Sequence, residues 1–198
     1  MKDKFTLGLE LPTDPRWADV ANMHIHDILV DHAYCEQKAA SSCISLILQF
    51  PEKDKLIAWL TEIVAEEWNH FARALEELRK RGLALGGKRK DTYVEALEKI
   101  FRKGGSRDQM LLEKLLMHAL IEARSCERFK LLWKHIADKE LSDFYYELMV
   151  SEAGHYKGFL QMAKNYLPEA VVNTRWRELL EQEADIMKTL ELRGDRIH

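Results

Sequence analysis

Six residues in this chain form a pattern written twice. Glu36, in HAYCEQKAA, is followed 31 residues later by Glu67 of EEWNH, with His70 three positions on; Glu122, in HALIEARS, is followed 30 residues later by Glu152 of SEAGH, with His155 three positions on. A Glu and a His three apart share one side of an α-helix, so each ExxH can aim a carboxylate and an imidazole at one point. Four carboxylates and two imidazoles drawn from four helices make a donor set for two metal ions. Oxygen-rich ligation with one nitrogen per ion suits iron or manganese better than thiolate-loving zinc, and calcium and magnesium are poorer partners for imidazole. Four carboxylates also offset the nominal charge of two divalent ions, which lowers the cost of placing either set of charges in a core. On this reading Glu67 and Glu152 bridge, Glu36 and Glu122 are terminal, and His70 and His155 serve one ion each.

A lone Glu or a lone ExxH would carry little weight, because both residue types are common on solvated helix faces. The weight comes from duplication in matched register on apolar rails. Glu62 and Glu147, each five residues before an ExxH glutamate, extend the repeat as outer partners of the ligands or as ordinary surface; Glu66 lies outside the register. His24, His26, His32, His118 and His135 do not complete the repeated set and read mostly as structural or solvent-facing, although His32, one turn before Glu36, is placed to approach the cavity. Tyr34, Tyr145, Tyr146 and Tyr156 read as packing groups first and pocket groups second. The sequence holds no P-loop, dinucleotide fingerprint or thiolate zinc cluster.

Long helices must carry this pattern. Four prolines in 198 residues, all at places where helices can begin or loops can lie, leave long stretches rich in Leu, Ala, Glu, Lys and Arg. The expected order is an extended lead-in to about residue 15; helix 1 to about Gln49; helix 2 from Pro51 to about Arg81; a glycine-rich loop and a crossover helix over 91–102. Helix 3 follows over 107–136, helix 4 runs from after ADKE to Tyr166, and an appended helix from Pro168 ends near Arg193. The fold class is therefore all-α: a ferritin-like four-helix bundle with a crossover helix and an appended C-terminal helix, read as one domain over 1–198. Two ligand-bearing hairpins related by a pseudo-two-fold axis satisfy the repeat.

Composition narrows the function classes. The length is enough for one substantial core, and three cysteines, Cys35, Cys43 and Cys126, form no disulfide framework, which favours a reducing compartment. MKDKFTLGLELPTD has no signal-like apolar run and no segment approaches membrane-spanning length, so a cytoplasmic protein with no membrane partner is expected. Net charge is only −3, yet residues 80–107 carry nine basic and three acidic side chains. Such a local excess, within a basic loop and crossover over 82–107, can receive phosphates. Arg89, Lys90, Arg102, Lys103 and Arg107 are the candidate RNA contacts, weighed against an ordinary solvated loop.

The whole chain, from PTDPRW to the last helix, resembles the tRNA-(ms2io6A)-hydroxylase family of ferritin-like di-iron monooxygenases. The residues carrying the resemblance are Glu36, Glu67, His70, Glu122, Glu152 and His155, in the contexts DHAYCEQKAASSC, EIVAEEWNHF, LIEARSCERF and MVSEAGHYKGF. The resemblance implies oxygen-dependent hydroxylation of the isopentenyl side chain of 2-methylthio-N6-isopentenyladenosine, next to the tRNA anticodon. It further implies two iron ions as cofactor, dioxygen as co-substrate and an external electron donor. The implied partners are the modified anticodon loop and an unidentified redox protein, a monomer being one state the sequence allows. The alternatives are a di-iron oxidase or hydroxylase of a small apolar molecule, a ferritin-like metal-storage or antioxidant protein, and a purely structural helical protein.

Overall fold

The computed structural model describes residues 7–87 and 90–198. Seven helices account for the regular structure among them: α1 Arg16–Met23, α2 Ile25–Gln49, α3 Asp54–Lys80, α4 Thr92–Leu97, α5 Arg107–His135, α6 Lys139–Tyr166 and α7 Glu169–Thr189. None is long and apolar enough to cross a membrane. The residues group into two compact units, one built on 19–90 with 193–197, the other on the chain up to Ala18 with 91–192 and His198.

The first unit is the hairpin α2–α3. Two helices of 25 and 27 residues joined by a four-residue link can pack along their length only by running antiparallel. Leu29, Ala33, Ala40, Cys43 and Leu46 of α2 are buried, as are Leu56, Leu60, Ile63, Ala74 and Leu78 of α3. The expected single helix from Asp14 to Gln49 is in fact two. His24 adopts φ −122°, ψ 30° and its N–H reaches back to the carbonyl of Ala21 at 3.0 Å, a tight i→i−3 closure. One residue thereby redirects the chain, with no proline or glycine to mark it. The C-terminal tail closes on this unit: the Ile197 N–H donates to Asp31 at 2.8 Å, and Gly194 lies so close to Val20 that a Cβ would meet its backbone at 2.5 Å.

The second unit is the hairpin α5–α6 with α7 packed on it and α4 against α7. Ser106 caps α5 in a capping box with Gln109, and Asp138 caps α6 through the N–H groups of Glu140 and Leu141. The crossover helix is shorter than expected, Thr92–Leu97, capped by Asp91. Gly104 and Gly105 follow at φ +86° and +92°, a left-handed turn that stops helical continuation and leads into the Ser106 cap. α5 is buried nearly all round rather than along one rail. It carries Glu113, Arg124, Glu127, Arg128 and Lys130 into the interior.

Those buried charges have partners remote in sequence. Arg124, with no exposed surface, donates to Glu183 of α7 at 2.7 and 3.0 Å, to Glu127, to Thr13 Oγ1 at 3.1 Å and to the Leu11 carbonyl at 3.0 Å. Thr13 in turn donates from its N–H and hydroxyl to Glu127 at 3.0 and 2.6 Å, which pins the lead-in segment to α5. Tyr93 of α4 donates to Glu183 at 3.2 Å. Burial, followed by the neighbouring Arg124, pushes the Arg128 guanidinium down to about 9, and its Cζ lies 4.3 Å from the centre of the Trp17 ring.

Candidate metal centre

Each hairpin gathers its own Glu, Glu and His. In the α2–α3 unit, Glu36 comes from the middle of α2 and Glu67 and His70 from the middle of α3; in the α5–α6 unit, Glu122 comes from α5 and Glu152 and His155 from α6. All six are buried, none more than 5% exposed. Within each triad the potential ligand atoms lie within 4.8 Å of one another. His70 Nδ1 stands 3.5 Å from Glu36 Oε2 and 3.6 Å from Glu67 Oε2. In the other hairpin His155 Nδ1 lies 2.9 Å from Glu152 Oε2.

Burying carboxylates at this density opposes folding unless positive charge compensates them. Two carboxylates and one imidazole per hairpin, all oxygen and nitrogen donors, are the chemistry that iron takes. The donor set therefore fits a metal ion at each triad. Cys126, one turn beyond Glu122, is not among the donors gathered there; its Sγ donates to the Met149 carbonyl at 3.3 Å, and burial first, then the nearby Glu152 and Glu122, pushes its thiol up to about 12. None of the three cysteines is in a disulfide.

The other residues singled out in the sequence divide. Glu62, Glu66 and Glu147 are exposed, which makes them surface charges. Tyr145 is fully buried between Phe129 and Phe144, Tyr146 packs on Trp133 at the surface, and Tyr156 packs on Trp176. Tyr34 donates to the Gly86 carbonyl at 2.8 Å, anchoring the glycine-rich loop. His32, expected from its place one turn before Glu36 to approach the cavity, does so. It is fully buried and lies 2.7 Å from Glu36. A second signal for it was present: His118 precedes Glu122 by the same four residues, so the repeat is HxxxE followed by ExxH, and His118 too is buried, stacked on Phe159.

Of the basic candidates, Lys90, Arg102, Lys103 and Arg107 are exposed; Arg89 lies outside the described residues. Arg102 pairs with Glu178 at 2.7 Å, and its N–H donates to Glu113 at 2.9 Å. Arg102, Lys103 and Gly104 separate two adjoining clefts of about 600 and about 500 Å³. The larger runs under α7 past Ala170, Thr174 and Arg175.

The helix order and the paired Glu/Glu/His triads define the class, a ferritin-like di-iron protein, and a solved structure agrees: a protein from Synechococcus with aldehyde deformylating oxygenase activity superposes with a TM-score of 0.90 at 31% identity, over 96% of this chain and 94% of its own. The chain belongs to the tRNA-(ms2io6A)-hydroxylase (MiaE) family, whose sequence profile matches residues 2–198. The tRNA 2-(methylsulfanyl)-N(6)-isopentenyladenosine(37) hydroxylase of Pseudomonas putida is 38% identical over 82% of this chain and 78% of its own length. The enzyme of the same name from Salmonella typhimurium is 26% identical over 90% of this chain and 83% of its own.

Proposed function

We propose that this protein hydroxylates the isopentenyl side chain of 2-methylthio-N6-isopentenyladenosine next to the anticodon of tRNA, in the cytoplasm. The observation that carries the reading is the pair of buried Glu/Glu/His triads in a chain that matches the hydroxylase family end to end. Glu36, Glu67, His70, Glu122, Glu152 and His155 would supply the ligands of two iron ions. When bound, iron would supply the redox chemistry by which one atom of dioxygen is inserted into a substrate carbon–hydrogen bond and the other leaves as water, at the expense of two electrons from an external donor and two protons. The chain's own part is to fix the ligands on rigid helices, to hold them away from bulk water and to align the prenyl group.

The test is reduced, iron-loaded protein given oxygen and prenylated, methylthiolated tRNA, followed by mass analysis of the nucleosides. One added oxygen confined to the modified adenosine is the expected result. Unchanged RNA during demonstrated oxygen consumption overturns the substrate assignment, and turnover of a fatty aldehyde in a parallel reaction would point to a small-molecule oxygenase.

The RNA surface includes Arg89, Lys90, Arg102, Lys103 and Arg107, which would position phosphates of the anticodon loop. Replacing Lys90, Lys103 and Arg107 together by Gln is expected to weaken tRNA binding and to flatten its dependence on salt by roughly 2 in log–log slope, at about 0.7 per lost phosphate contact. Iron content should stay at two per chain. An unchanged slope removes these three residues from the interface.

A further inference from the structure

We infer that His32 is a positioning residue of the iron site, holding one oxygen of Glu36 so that only the other is offered to metal. This deepens the ligand assignment proposed above and rests on it. The His32 side chain is 0% exposed and that of Glu36 6%, and Nε2 lies 2.7 Å from Oε1. A carboxylate only accepts, so Nε2 carries the hydrogen and donates. Both residues stand on α2 four positions apart, one directly above the other, and the bond requires no loop to order.

The two oxygens of Glu36 are therefore not equivalent. Oε1 is engaged by His32, while Oε2 is the one 3.5 Å from His70 Nδ1. The terminal torsion of a glutamate is broad and roughly two-fold, so a buried Glu without such a bond can exchange its oxygens or turn both towards a cation. His32 removes that freedom, so that Glu36 would offer Oε2 to a metal ion. The offset of four recurs at His118 and Glu122, so the chain places a histidine at this distance from the terminal carboxylate of both hairpins.

A core histidine that merely packs would give the same burial, so the test must separate the bond from the packing. His32→Leu fills the space without a donor; His32→Gln restores an N–H near the position of Nε2. Ferrous iron binding under anaerobic conditions, measured by competition with a chelator, is read beside the visible absorption of the cobalt(II)-loaded proteins. The parent protein is expected to bind two ions per chain. His32→Leu should hold one of them about 10- to 100-fold more weakly, the usual cost of losing a partner of a metal ligand, with a changed cobalt spectrum and an iron-free melting temperature near the parent's. His32→Gln should recover most of the affinity. Parent-like affinity for both ions in His32→Leu overturns the inference, as does a loss that His32→Gln fails to recover. A parent protein that binds fewer than two ions overturns the ligand assignment itself. If His32→Leu does not fold, parent-like affinity and cobalt spectrum in His32→Gln support the role, and weakened binding there opposes it.

Discussion

Glu152→Gln is expected to abolish hydroxylation and at the same time to make the iron-free protein more stable. Glu152 is 1% exposed and shares its triad with a second buried carboxylate, Glu122. In the loaded protein that charge is compensated by metal, and its loss should cost more than the 10- to 100-fold that outer partners of a ligand are worth. Without metal the same charge is a liability, since like charges sharing a buried site repel. The amide keeps an acceptor for His155 Nδ1, now 2.9 Å from Oε2, while removing the repulsion. The expected gain is about 1–2 kcal/mol, a rise of a few degrees in melting temperature for a chain of this size. Iron analysis, the tRNA assay and calorimetry of the iron-free proteins check the three parts. A lower melting temperature would mean that the ionised carboxylate supports the hairpin through His155 more than it opposes it.

Arg124→Met should be the most damaging single change outside the metal centre. It removes five hydrogen bonds of a fully buried guanidinium and leaves Glu183 and Glu127, at 0% and 6% exposure, without their cation. Burial already pushes the Glu183 carboxyl upward, and Arg124 is the first influence that holds it down. Breaking a buried pair from one side costs about 3–5 kcal/mol, because the remaining charge stays desolvated. Chemical denaturation of the iron-free protein should show that loss, with a fall in melting temperature of roughly 6–20 °C. Adding Glu183→Gln should return part of it, since the uncompensated charge is then gone. A loss below about 1 kcal/mol in the single variant would show that water reaches the network on unpairing.

How far the residues spoke for themselves varied with the range of the interaction. The cap at Ser106, the stop at Gly104–Gly105 and the ends of α3, α5 and α6 follow from contacts within one helical turn and fall within a few residues of the expected places, although α6 starts inside ADKE, capped by Asp138, rather than after it. The division of the first helix at His24 depends on a redirection of the chain that no local residue type signals. The place of His32 near the cavity was legible, its role was not. Its spacing from Glu36 was visible, but a histidine one turn from an acid is common, and only the matching His118–Glu122 offset or the buried 2.7 Å contact distinguishes it.

By itself the sequence determined the all-α class, the two hairpins and the six residues that gather in two buried triads, because helical periodicity and an i,i+3 Glu/His pair are local geometry that spacing encodes directly. The tertiary structure alone decided which charges are solvated and which are buried. Glu62, Glu66 and Glu147 differ little in their neighbours from Glu127 and Glu183, yet the first three face water and the last two are enclosed with Arg124. That choice rests on partners separated by 59 residues between Arg124 and Glu183 and 114 between Thr13 and Glu127. A buried ion is tolerable only when the chain returns a counter-charge from such a distance, and spacing along one helix carries no trace of it.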